Sequence, residues 1–242
     1  MLSRILPLLF LLLAACNPNN PQRIVNEAIK AHGGNLFEHV ELAFDFRGRH
    51  YSSHRQGGLF TYTREFTDST AKVKDILNNN GFQRKINNVL VSVTEERSKA
   101  YSNSINSVIY FALLPFGLND PAVRKTFAGE TRLKNKKYYL IKVTFHPDGG
   151  GKDHEDEFLY WINQATFRVD YFAYNYLTDG GGVRFREAIN PRIVEGILFQ
   201  DYINYQPESK DTPLEKLQEL FEQHQLKELS IIALENIEVK KL

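Results

Sequence analysis

YYLIKVTF, residues 138–145, and FLYWIN, residues 158–163, decide the architecture of this chain. In the first, Tyr139, Ile141, Val143 and Phe145 fall on one face, the two-residue period of a strand. The second opens a long extended run over 157–176 with a turn at Asn163-Gln164. Outward from this centre the same period recurs. Residues 41–50, ELAFDFRGRH, place Leu42, Phe44 and Phe46 on one side and Glu41, Asp45 and Arg47 on the other. Residues 59–66, 72–77, 82–94, 183–188 and 194–205 read as further strands, and 229–239 as a closing one. Gly57-Gly58, Asn78-Asn79-Asn80-Gly81 and Asp179-Gly180-Gly181-Gly182 supply the turns. Helical spacing appears in three places: 23–32 before Gly33-Gly34, 102–113 before Pro115, and 213–223. Asn119 with Pro121 marks a short helical turn. Aromatic residues are plentiful, 17 Phe and 12 Tyr, and these fit a pleated surface. The class that follows is α+β and β-dominated. About ten sequential, antiparallel strands form one curved sheet, a half-barrel, with two or three helices on its concave face.

The first fifteen residues stand apart. Arg4 precedes an apolar run, Ile5 to Leu13, that is shorter than the roughly 20 residues a membrane-spanning helix needs. Leu13-Ala14-Ala15-Cys16 follows and looks like a lipobox. Cys16 is the chain's single cysteine, and here its sulfur has a use, to carry lipid. The expected organisation is a lipoprotein signal peptide over 1–15, a lipidated tether over 16–22 (Cys16 and then NPNNPQ), and one domain over 23–242. Removing Arg4 with the leader leaves 29 basic residues against 29 acidic ones. That balance, without a basic block, argues against a nucleic-acid partner. The membrane, reached through the N-terminal lipid, is the expected partner; an envelope protein partner is open.

The helix ending Ala31-His32-Gly33-Gly34 leads into a strand. A mid-chain helix and loop, SVIYFALLPFGLNDPAV, precedes YYLIKVTF, and Trp161-Ile162-Asn163 follows a polar turn. This series resembles the outer-membrane lipoprotein-sorting superfamily, the LolA, LolB and LppX-like half-barrels, where Asn163 stands in place of a usual aspartate. At finer grain NSVIYFALLP, GGGKDHEDEFLYWIN and DGGGVRFREAINP are similar to a family of uncharacterised Bacteroidota lipoproteins with a domain of unknown function. The superfamily resemblance implies a curved sheet and helices that hold acyl chains or other hydrophobic ligands between them. Together with the lipobox it points to the bacterial cell envelope, with the chain lipid-anchored and the outer membrane, facing the periplasm, as the expected location. It maps no catalytic residue onto this chain.

Read from the residues themselves, a ligand pocket would be lined by Phe44, Phe46, Tyr139 and Ile141, with Trp161 from the shared motif. Arg184 and Arg186 share one face of a strand and would hold a carboxylate or phosphate head group. Equally, they would pair with Asp170 or Asp201, which interrupt apolar faces. The cluster His146–Glu157 contains His146, Asp153, His154 and Asp156, the weak candidates for a metal. Its spacing fits neither H-E-x-x-H nor an EF-hand loop, and a solvated hairpin connection is the other reading. No cofactor is expected. No nucleophile elbow or dinucleotide fingerprint occurs, so a binding role is expected ahead of an enzymatic one. The alternatives are an envelope scaffold without ligand, or a metal-dependent enzyme using the His146–Glu157 cluster or the region of Arg184, Arg186 and Asp170.

Overall fold

Asn20 starts the first helix, α1 (Pro21–His32), by accepting the N–H of Arg23 at 3.0 Å, and Pro21 fits its first turn. Gly33, at φ 139°, ends it in a conformation side chains rarely tolerate, and a Cβ there would sit tightly, 3.2–3.3 Å from Ile197 and Phe37. The computed structural model describes residues 18–146, 155–177 and 180–242. The expected leader and Cys16, and the centre of the acidic cluster with Asp153 and His154, lie outside these residues.

Six sequential hairpin-linked strands follow: β1 (Val40–Phe46), β2 (Arg49–Gln56), β3 (Leu59–Asp68), β4 (Ala71–Asn78), β5 (Gly81–Ile86) and β6 (Val89–Val91). The strand β2 (RHYSSHRQ) carries almost no apolar signal. Its inward positions are Tyr51 and the small Ser53, and it is held by β1 and β3 on its two sides. The middle helix, α2, spans Glu95–Ala112 rather than starting near 102. Thr94 caps it, and Glu95 and Glu96 sit in its first turn, where carboxylates suit the helix dipole. The sequence pattern showed only the C-terminal half, because Ile105 and Ile109 are its buried residues.

A 3-10 turn, Phe116–Asn119, leads to the second group: β7 (Val123–Leu133), β8 (Lys136–Phe145), β9 (Phe158–Asn163), β10 (Val169–Tyr176), β11 (Gly182–Val194) and β12 (Ile197–Gln206). Then come α3 (Leu217–Glu222), β13 (Lys227–Ile232) and β14 (Glu235–Lys241). The fourteen strands described form two antiparallel seven-stranded sheets, ordered β14-β1-β2-β3-β4-β5-β6 and β13-β12-β11-β10-β9-β8-β7. The β-dominated antiparallel class with helices is as expected. The strands outnumber the expected ten because β2 and β7 gave weak alternation and because the runs 82–94 and 229–239 each divide in two.

That division joins the sheets. β13 pairs with β12, and β14 returns to pair with β1, so Ala233 and Leu234 carry the chain from one sheet to the other. Asp201 satisfies the backbone at this break. It accepts the Leu234 N–H at 3.0 Å and the Arg192 guanidinium at 2.9 Å, while Arg192 also donates to the Leu234 carbonyl at 2.6 Å. The buried Asp201 is therefore a staple between sheets.

Helices cover both faces. α1 places Ile24, Val25, Ala28 and Ile29 against Ile141, Val143, Tyr160 and Phe172 on the inner face of the second sheet. α2 sets Ile105 and Ile109 against Leu42, Phe44 and Tyr51 of the first. The third helical segment lies on the opposite face: Leu214, Leu217 and Phe221 bury Trp161, Tyr171 and Phe185. Burial of each such side chain contributes about 1.5–3 kcal/mol. The strand β9 is consequently buried on both sides, and FLYWIN is apolar throughout instead of alternating.

Candidate functional site

The inner faces are not completely filled. A cleft of about 560 Å³ opens where the C-terminal half of α2 crosses the junction of the two sheets. This is within the roughly 300–1,000 Å³ of small-ligand sites. Tyr110 and Phe111 of α2 form one wall; Phe158, Tyr174 and Tyr202 of β9, β10 and β12 form the facing one. Phe46 and Ile232 contribute from the two sheet margins. The rings are mutually braced: Phe111 stacks on Phe172 with centroids 5.8 Å apart, and Phe158 on Tyr174 at 5.2 Å.

Polar groups enter this aromatic wall from two adjacent strands. Alternation along β11 turns Val183 and Phe185 outward and Arg184 and Arg186 into the cleft. Arg186 is 7% exposed, and its Nη2 donates to the Tyr174 hydroxyl at 2.8 Å. Its guanidinium carbon stands 4.3 Å from the Phe111 ring centre, 5.1 Å from Tyr174 and 5.3 Å from Phe172. Arg184 donates to the Tyr176 hydroxyl at 2.6 Å and to the Val183 carbonyl. Beside them β12 presents Gln200, Tyr202 and Asn204, spaced by two, with Asn204 directly opposite Arg186 in the ladder. The Tyr110 and Tyr160 hydroxyls lie 3.4 Å apart. Burial pushes the Tyr110 phenol up to about 12 and raises that of Tyr160 well above its ordinary value, so both stay neutral hydroxyls.

Of the residues singled out in the sequence, this cleft collects Phe46, Asp156, Arg184 and Arg186. Phe44 and Ile141 are buried in the packing under α2 and α1. Tyr139 faces inward but stacks on Phe167 at 6.1 Å, away from the cleft lining. Trp161 faces the other way, under α3, with its indole N–H on Gln218 at 2.8 Å. Asp170 accepts the Tyr138 hydroxyl at 2.9 Å and the Asn163 amide at 3.0 Å, with Lys136 at 3.8 Å. Neither Asp170 nor Asp201 pairs with the two arginines; Asp201 is committed to the sheet junction. His146 lies against Arg124, both ring nitrogens 2.9 Å from guanidinium nitrogens, while Asp156 lines the cleft. Among the described residues no three His, Cys, Asp or Glu side chains come together as a metal site would need. Gln200 and Asn204 escaped notice in the sequence. Their signal was there: polar residues spaced by four within the apolar run ILFQDYINY.

The sequence matches the model of the Family of unknown function (DUF6503) over residues 3–235. This chain belongs to the DUF6503 family. Among curated proteins none matches it significantly. In three dimensions the DUF6503 chain is similar to a LolA superfamily protein from Nitrosomonas europaea, at 11% identity and a TM-score of 0.51, covering 92% of this chain and 94% of that one. It also aligns with a DUF1329 family protein from Desulfovibrio piger, at 10% identity and TM-score 0.45 over 90% and 92% of the two chains. The lipoprotein LppX from Mycobacterium tuberculosis aligns at 12% identity and TM-score 0.29 over 67% and 91%. The first of these shares its fold, so the LolA-like resemblance expected for the DUF6503 chain holds.

Proposed function

We propose that this DUF6503 protein is a lipid-anchored envelope lipoprotein that holds a hydrophobic or lipid-like ligand in the cleft beneath α2. The observation that carries the reading is the aromatic-walled space of about 560 Å³ on the inner face, left between α2 and the two sheets. An apolar wall with a few convergent polar groups is the usual form of a ligand site. Leu13-Ala14-Ala15-Cys16 supports the anchor, with residues 16–22 as its tether and 23–242 as one working unit facing the periplasm. Among the described residues no helix is long and apolar enough to cross a membrane. Two acyl chains on Cys16 would hold the protein stably, at about 0.8 kcal/mol per buried methylene.

Mass spectrometry tests both halves. The full-length protein extracted from bacterial membranes is expected to start at Cys16 with acyl groups attached. The chain from position 16 carrying Cys16→Ser, purified without detergent, is expected to fly under native conditions with one bound amphiphile. A bare protein that also takes up no added fatty acid contradicts the carrier reading and leaves an envelope scaffold.

A further inference from the structure

Arg186 presents a problem that the fold alone does not solve. It is 7% exposed and forms no salt bridge among the described residues. Burying an unpaired guanidinium is costly. Three aromatic rings offset part of that cost, as does one hydrogen bond to Tyr174. Its Nε–H remains buried with no acceptor. Two more polar atoms nearby share this condition: Gln200 Oε1 and Asn204 Oδ1 are buried without partners. All three residues line the same cleft. Such groups go unpaired only rarely in folded proteins, and three in one cleft mark the place where a ligand's polar end would sit. Among the described residues that line the cleft one sign is in excess, with Arg47, Arg184 and Arg186 against the carboxylate of Asp156.

We infer that the cleft selects an anionic amphiphile, whose carboxylate or phosphate head is received by Arg186 and whose chain lies along the Tyr110, Phe111 and Phe158 wall. This rests on the carrier reading and narrows it to one class of ligand. A planar guanidinium with a free Nε–H matches either head, since both offer two oxygens to a fork of donors. Gln200 and Asn204 oxygens would accept from hydroxyl or N–H groups beside that head. Arg184, already bonded to Tyr176, adds positive potential beside it.

The test compares four probes of one chain type on the Cys16→Ser chain by calorimetry: oleate, 1-oleoyl lysophosphatidate, oleyl alcohol and oleylamine. At least one acidic probe is expected to bind about tenfold or more tighter than the alcohol, with the amine weakest. Which acid binds better distinguishes a carboxylate source from a phosphate one. Arg186→Gln is expected to cut the affinity for the acidic probes about tenfold and so remove the preference, and Arg186→Lys to restore part of it. The head-group series on the unaltered cleft decides the matter even if Arg186→Gln folds poorly. Equal binding of acid and alcohol, or a preference that persists in a folded Arg186→Gln protein, overturns the anionic inference and leaves the carrier reading standing. Failure of all four probes to bind overturns both.

Discussion

Alanine at position 75 is expected to cost the folded state about 3–5 kcal/mol, the penalty for removing one member of a buried ionic cluster. Asp75 is fully buried between β3, β4 and β5. Its Oδ2 accepts from Arg64 Nε at 3.0 Å and Nη2 at 2.6 Å, and from Arg84 Nη2 at 2.9 Å. Its Oδ1 accepts from Arg84 Nε at 2.6 Å. The N-terminal half of α2 closes the cluster from above: Ser104 accepts from Arg64 at 2.9 Å, and the Tyr101 ring centre is 3.8 Å from the Arg84 guanidinium. Removing the carboxylate would leave two guanidiniums facing each other with little access to water. Urea unfolding of Asp75→Ala against the parent measures the loss. A triple variant, Arg64→Met, Asp75→Leu and Arg84→Met, is expected to recover much of it, because apolar packing commonly replaces a buried ionic group without net cost. A loss below about 1 kcal/mol for Asp75→Ala would mean the arginines have another counter-charge.

Acid is expected to weaken the fold through His32, at the end of α1. Burial, with a smaller contribution from the Arg168 charge, holds its imidazole down to about 3 from an ordinary 6.5. The structure keeps it neutral: Nε2 accepts the Val169 N–H at 3.2 Å, which places the proton on Nδ1. In the unfolded chain the ring binds a proton near pH 6.5; in the folded protein it does so only near pH 3. The stability due to the neutral ring is therefore whole above pH 6.5 and falls as pH drops through this window. The slope is about 1.4 kcal/mol per pH unit, or about 2 kcal/mol lost by pH 5. Unfolding free energies of the parent and of His32→Gln, followed from pH 7 to pH 4.5, check this. The parent should lose stability more steeply by that amount; identical slopes would show that His32 is protonated in the folded protein too.

How much of this was legible beforehand depended on where each residue's partners lie. The alternation of β1 and β8 predicted their inward faces, because one side of each strand meets a helix. FLYWIN revealed a strand but not the direction of Trp161, since covering by α3 makes both faces of β9 apolar. The β2 strand and the first half of α2 were hidden for one reason: each buries few apolar side chains, Tyr51 alone in β2. Ser53 is buried in β2, and the Arg64–Asp75–Arg84 cluster lies under Tyr101 and Ser104. In the site, the shared face of Arg184 and Arg186 followed from spacing alone. That Asp201 serves the junction, and leaves Arg186 without an acid among the described residues, did not. It depends on a strand break at Ala233–Leu234, far along the chain, whose backbone groups needed partners.

A ligand seated in the space beneath α2 would be displaced by a side chain that fills it. Ser107 is an exposed residue of α2 on the cleft lining, where a larger side chain can be introduced without disturbing the buried Ile105 and Ile109. Titrating a dansyl-labelled undecanoic acid into the parent and into Ser107→Trp should give saturable binding of one equivalent to the parent. The variant should bind about tenfold more weakly at an unchanged melting temperature. Undiminished binding to a folded Ser107→Trp protein would place the ligand somewhere other than this cleft.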